Sequence, residues 1–320
     1  RFDDLKEKYK FIVTGSARLD IYQKSGDSLF GRYYLHHLHP LTCGELHSPK
    51  LPPLLENIDE THSPLSFVDD LLRFGGFPEP FYTQSEKEHR RWSNARRHLL
   101  IQEELREITQ VELIGLIEQL MLVLPHRMGS LFSFRSLAED IRVSPPTIQN
   151  WMNIFERLFV VLKVLPYSKR ILRSIQKQPK YYCYDWSQIG DEGSRFENFV
   201  ASHLWKAVQI WNDIGEANLG LYYIRDRNHR EVDFLLTKEE QPWFLVEANL
   251  AETQLSESLC YFAKRLTEKC GGEVIRRPAE IAGDKASSES ALVHALDEMN
   301  KLGVDPESAA AILFSSGSEG

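Results

Sequence analysis

Several scarcities narrow the class of this chain. Its 320 residues hold four cysteines, Cys43, Cys183, Cys260 and Cys270, with no CxxC spacing, so neither a disulfide framework nor a thiolate zinc site is encoded. That usage fits a reducing, cytoplasmic compartment. No apolar run approaches the ~20 residues of a membrane-spanning helix: LFVVLKVL is broken by Lys163 and LIGLIEQLMLVL by Glu118. No membrane association and no signal peptide are expected. Positive charge is not in excess either. With 38 Lys and Arg against 46 Asp and Glu, the formal net charge is -8, so any contact with nucleic acid must rest on a local basic patch.

A Gly-Lys dipeptide is also missing. A P-loop needs GxxxxGK[ST], because its glycine-rich turn exposes backbone N–H groups and its Lys reaches the phosphates. No apolar strand ending in an acidic pair precedes Thr14. ATP binding by this chain is therefore not expected, and ATP belongs to a longer parent whose nucleotide motifs lie upstream of Arg1.

What is present is ordinary globular material, 42% hydrophobic and 26% charged, long enough for several domains with real cores. The organising stretch runs from Arg195 to Leu250. In RFENFVASHLWKAV, Phe196, Phe199, Val200, His203 and Leu204 recur at helical spacing with Glu197 beside them. EVDFLL and WFLVEANL then switch to strand composition, with TKEEQP as a hairpin tip. Asp233 falls on one strand and Glu247 on its neighbour, and Glu247 and Asn249, two apart, share a face. Carboxylates in this grouping supply the hard oxygen ligands that Mg²⁺ requires, with Asp233 and Glu247 as the ligands. The plainer alternative is a solvated strand face.

Glu197, Asp233, Glu247 and Asn249, in this order on a helix and two strands, resemble the restriction-endonuclease-like PD-(D/E)xK core. The resemblance implies a catalytic set of these four residues, a bound Mg²⁺ and DNA as substrate. The departure is Asn249, where the family has Lys. A cation there stabilises the attacking hydroxide and the phosphorane, whereas an amide offers only a hydrogen bond. Weak Mg²⁺ binding and poor cutting follow.

Upstream, TGSARLDIYQKSGDSLFGR, HLHPLT and LLRFGGFPEPF resemble predicted bacterial and archaeal AAA-type ATPases that carry a C-terminal domain of unknown function with a nuclease-like core. This likeness runs from Phe11 to about Ala263. It implies that Thr14, Gly15 and Ser16 end the sensor-1 strand and that Arg32 is a γ-phosphate sensor or arginine finger. A surface salt-bridge partner is the alternative for Arg32. Gly31 and Arg32 precede what reads as an alternating strand. His36, His37, His39 and His47 with Cys43 lack a second ligand pair at zinc spacing and read as strand histidines.

From Glu86 to Arg127 the apolar period is helical, stopping at Pro125. SFRSLAEDIRVSPPTIQNWMNIFERLFVVLKVLPY then reads as a winged helix-turn-helix, with FVVLKVL as its wing strand. Its second helix offers Gln149, Asn150 and Asn153, but Glu156 and Arg157 cancel, so packing is favoured over base reading. YSKRILRSIQKQPKYY carries Lys169, Arg170, Arg173, Lys177 and Lys180 with aromatic neighbours, a composition suited to phosphate contact and stacking, or to a solvated linker. In the tail, SALVHALDEMNKLG reads as a short helix and Asp305–Pro306 as the start of another.

The expected class is a multi-domain α/β protein. Residues 1–62 form the remnant of a AAA-type ATPase core, 63–127 a helical lid, and 128–180 a winged helix-turn-helix with a basic linker. A restriction-endonuclease-like α/β domain (181–268) and a partly disordered tail (269–320) follow. Two functional classes stand. One is a nucleic-acid enzyme, an ATPase whose C-terminal module cuts DNA with Mg²⁺. The other is a module that keeps the fold without its chemistry and binds DNA, a protein partner or further copies of itself.

Overall fold

The computed structural model describes residues 12, 14, 34–47, 67–101, 114–168, 178–250, 255–270 and 310–315. Ser16, Arg32, Lys169, Arg170, Arg173 and Lys177 lie outside them, as does the SALVHALDEMNKLG segment. The described architecture is mixed α/β. Its helices are α1 (Cys43–His47), α2 (Val68–Phe74), α3 (Pro78–Thr83), α4 (Glu86–Leu99), α5 (Ile114–Val123), α6 (Phe134–Ile141), α7 (Pro145–Arg157), α8 (Glu192–Asp213) and α9 (Glu257–Cys270). Its strands are β1 (Val161–Pro166), β2 (Lys180–Cys183), β3 (Leu219–Arg225), β4 (Glu231–Lys238), β5 (Gln241–Asn249) and β6 (Ala310–Ser315). They form one sheet in the order β2-β1-β3-β4-β5-β6. The β1–β3 and β5–β6 pairs are parallel and the others antiparallel.

The first half is helical because its caps and periods demand it. Ser85, Ser133 and Ser144 each accept a backbone N–H of the first turn, starting α4, α6 and α7. Pro125 falls in the 3-10 turn that ends α5. Leu137, Ala138 and Ile141 of α6 pack on Ile148, Trp151, Met152 and Phe155 of α7 in one buried cluster. The helix pair expected from the sequence is therefore present. The strand expected as its wing, β1, pairs antiparallel with β2 and also lies inside the main sheet between β2 and β3. Val161, Leu162 and Val164 are fully or almost fully buried, and a strand apolar on both faces belongs in a sheet covered on both sides.

Helix α8 lies across one face of that sheet. Phe196, Val200, Leu204 and Val208, spaced by four, share a core with Tyr182, Phe234, Leu236, Phe244 and Val246. Burying each such side chain contributes roughly 1.5–3 kcal/mol. The opposite face is covered by α9, whose Leu259, Phe262, Ala263 and Leu266 meet Ile224, Val232, Leu235 and Leu245. Asn198 of α8 is fully buried and forks onto β2, accepting the Cys183 N–H and donating to the Cys183 carbonyl, both at 2.7 Å. A side-chain amide thus occupies the place of a further strand at the sheet edge.

Two local expectations are corrected. Residues 34–42 form no strand; they run as a strap along α8. The His37 N–H and ring go to Asp213, Lys206 binds the Pro40 carbonyl and Glu45, and the Cys43 N–H donates to His203 Nε2. Polar side chains of α8 take the place of a partner strand. The chain after Pro306 pairs with β5 as β6, in register from Phe244↔Ala310 to Asn249↔Ser315. The open edge of β5 outweighs the helix propensity of AAAILF. The hairpin tip reads as expected: Glu239 and Glu240 both have positive φ, as a two-residue primed turn requires.

Candidate functional site

The buried polar centre of the molecule is an ammonium surrounded by carboxylates. Lys180, first residue of β2, has a side chain 3% exposed. Its Nζ stands 2.8 Å from Glu231 Oε1, 3.2 Å from Glu197 Oε1 and 3.7 Å from Asp233 Oδ1. Each contributor arrives for a local reason. Lys180 and Tyr182 alternate on β2 and so share the α8 face. Glu197 sits in the first turns of α8, one residue after buried Phe196. Glu231 and Asp233 are two apart on β4. A bulge between the Leu235↔Tyr222 and Val232↔Ile224 pairs lets Asp233 and Phe234 both turn toward α8.

Further bonds fix the group. Tyr182 donates its hydroxyl to Glu197 Oε1 at 2.8 Å, Asp233 Oδ2 accepts the Ala248 N–H at 3.0 Å, and Arg225 pairs with Glu231 at 2.6 Å. Burial alone would lower the Lys180 pKa, but Glu197, Asp233 and Glu231 together raise it above its ordinary value. Burial pushes Glu197 up to about 7 against the pull of Lys180, with Asp233 pushing the same way. Asp233 is likewise raised by burial, opposed by Lys180 and the Ala248 N–H. Glu231 goes down despite burial, because Lys180 and Arg225 both favour its anion. Burial, then Glu197 and Asp233, hold the Tyr182 phenol neutral. Three carboxylates face two cations, so neighbouring negative charge adds to burial in raising Glu197 and Asp233.

The structure regroups the residues singled out in the sequence. Glu197 and Asp233 meet, as the helix and strand order implied. Glu247 and Asn249 alternate with Val246 and Ala248, which pack under α8, so their side chains leave β5 on the α9 face with Leu245. Among the described residues no group of three or more His, Cys, Asp or Glu is disposed to hold a metal ion. The position between Glu197 and Asp233 is filled by Lys180 Nζ. Lys180 itself is corrected: expected in an exposed basic run, it is 2% exposed and turned into the protein, because β2 presents it to the α8 side. Arg195 donates to the Ile189 carbonyl and Arg230 pairs with Asp226, so of the arginines flanking the motif Arg225 is the one that reaches the cluster. Glu231 and Tyr182 were legible in principle, as the period-two neighbours of Asp233 and Lys180.

Two family models match the chain. One, described as "Domain of unknown function (DUF8612)", covers residues 66–189, and the other, "Domain of unknown function (DUF4143)", covers residues 192–292. Uncharacterized protein Rv2008c of Mycobacterium tuberculosis is 22% identical over 265 residues, 78% of this chain and 54% of its own. Uncharacterized protein Mb2031c of Mycobacterium bovis matches with the same identity and coverage. The chain thus spans about half the length of the curated relatives it matches. No solved structure matches it. Among the described residues no helix is long and apolar enough to cross a membrane.

Proposed function

We propose that this chain is the C-terminal portion of a AAA-type ATPase and that its nuclease-like module works by binding rather than by cutting. The observation that carries the second half is the Lys180 ammonium, held within 4 Å of Glu197, Glu231 and Asp233. A fixed internal cation neutralises the carboxylates that a nuclease would devote to Mg²⁺, and it costs no metal binding to keep them in place. Asn249, in place of the motif Lys, and the departure of Glu247 from β5 on the opposite, α9 face of the sheet support the same reading. The first half rests on TGSARLDIYQKSGDSLFGR and the motifs that follow it, on a second matched model often associated with AAA-type ATPases, and on relatives about one and a half times as long. In this reading ATP hydrolysis in the remainder of the parent drives conformational change. The module passes it to DNA, a protein partner or further copies of the chain, with Lys169, Arg170, Arg173 and Lys177 supplying phosphate contact.

The test is a pair of measurements on the native chain: calorimetric titration with Mn²⁺ and a plasmid-nicking assay in its presence. The expected outcome is no saturable metal binding and no nicking. Cutting that disappears in Asp233→Ala would replace this reading with the endonuclease.

A further inference from the structure

A cleft of about 310 Å³ opens on the helical half, away from the carboxylate cluster, between α4, α5 and the turn at Ser187–Gln188. We infer that this cleft binds a small phosphate monoester, with arginines on α4 holding the phosphate and the α5 wall taking an apolar body. The inference is independent of the reading given to Lys180 and its carboxylates.

Its chemistry is asymmetric. One face of α4 supplies His89, Arg90, Ser93, Asn94 and Arg97, whose spacings of three, four and seven set them along one side of the helix. His126 adds a further nitrogen base from the end of α5. Among the described residues the cleft is lined by no Asp or Glu, in a chain whose acids outnumber its bases 46 to 38. Neither Arg90 nor Arg97 forms an ion pair with a described residue, whereas Arg73 and Arg91, borne by α2 and α4, pair with Glu86 and Glu88. Two guanidiniums seven apart on one helix face, without an ion pair to a described residue, are a fork-donor arrangement for an oxyanion.

Ser93 points to the same ligand. Its Oγ is buried with no hydrogen-bond partner among the described residues. A buried hydroxyl without a partner is costly to leave so, and a turn about its χ1 would let it donate to an oxyanion in the cleft. His89 is already oriented. Ser187 donates its one proton to Asp185 at 2.5 Å, so the 2.9 Å contact between Ser187 Oγ and His89 requires Nε2–H as donor. The facing wall, Met121, Leu122 and Pro125, has no polar side chain, and Leu122 is 54% exposed. Donors on one side and a thioether, leucine and proline on the other suit a molecule with a charged head and an apolar body.

The experiment is calorimetric titration of the full chain with phenyl phosphate, inorganic phosphate and benzyl alcohol, repeated on Arg97→Met, Arg90→Met and Ser93→Ala. Circular dichroism confirms the fold of each variant, and exposed Arg90 gives a variant with little structural role. Phenyl phosphate should bind more tightly than inorganic phosphate, benzyl alcohol should not bind, and either arginine change should weaken phenyl phosphate roughly tenfold or more. Absence of binding, or binding indifferent to both arginine variants, overturns the proposal. So does a short oligonucleotide without terminal phosphate that displaces phenyl phosphate at equal or lower concentration, because the cleft would then take a nucleic-acid backbone.

Discussion

Gly129 lies against the carboxyl group of Glu197, so that a Cβ built on it would stand 3.0 Å from Oε2. Its φ is +70°, in the left-handed region, and its N–H donates to the Tyr181 carbonyl at 3.0 Å. The loop before α6 thus seals the carboxylate cluster with the one residue type that fits. Gly129→Ala should destabilise the protein by about 1–2 kcal/mol through strain and displacement of Glu197. Urea denaturation measures it. In a double-mutant cycle with Glu197→Ala the two losses should be less than additive. Full additivity would mean that the contact carries no energy.

Removing the central cation should cost more. Lys180→Met leaves Glu197, Glu231 and Asp233 buried with Arg225 as their remaining cation, and breaking a buried ion group costs about 3–5 kcal/mol. The loss should be largest near neutral pH and should shrink in acid, as the carboxylates take up protons. A loss that does not vary with pH would indicate packing rather than charge.

Two sets of groups oppose each other in the pH dependence of stability. Glu197 has a folded pKa raised from 4.5 to about 7, so the stability linked to it is complete below 4.5 and is lost as pH rises toward 7. His39 and His203 have folded pKa values lowered by burial from 6.5 to about 4. Their contribution is complete above 6.5 and is lost as pH falls toward 4. Two histidines titrate against one carboxylate, so native stability should rise from pH 4 to 6.5, but less steeply than the histidines alone would make it. In Glu197→Gln the opposition is removed, and the climb from pH 4 to 6.5 should steepen in urea denaturation at each pH. An unchanged slope would overturn the assignment.

The His203 ring also predicts where acid acts first. Nδ1 donates to the Phe199 carbonyl at 2.8 Å, so Nε2 is the acceptor for the Cys43 N–H at 3.2 Å. Protonation of Nε2 would turn that acceptor into a donor facing a donor. Hydrogen exchange of the Cys43 amide, corrected for its intrinsic rate, should lose protection as pH falls toward 4, before the amides of β4 do. Simultaneous loss would show that the strap and the sheet open together.

Much of this structure was legible in the sequence where a local pattern decides the outcome. The spacing of Phe196, Phe199, Val200 and Leu204 fixed α8 and its buried face. The serine caps and the apolar periods around Leu137 and Ile148 fixed α6 and α7. What could not be read depends on partners distant in sequence. Lys180 looks like the last cation of a basic run until β2 turns it toward α8. HLHPLT alternates like a strand, yet Asp213 and Lys206 supply its partners. AAAILF favours helix alone and becomes β6 because β5 leaves an edge. The bulge that turns Asp233 toward Lys180 comes from a register shift against β3, for which EVDF carries no mark.

Strand β1 belongs by sequence to the helical half and by hydrogen bonding to the other. The matched models meet between residues 189 and 192, and that seam leaves β1 and β2 on one side of it and β3, β4 and β5 on the other. A polypeptide beginning at residue 190 would keep α8 but lose Lys180, both strands beyond β3 and the Cys183 backbone that satisfies Asn198. It should fail to fold, as judged by amide dispersion in its NMR spectrum. The two halves are thus not interchangeable cassettes. Neither can be exchanged for an unrelated neighbour without first rebuilding a sheet.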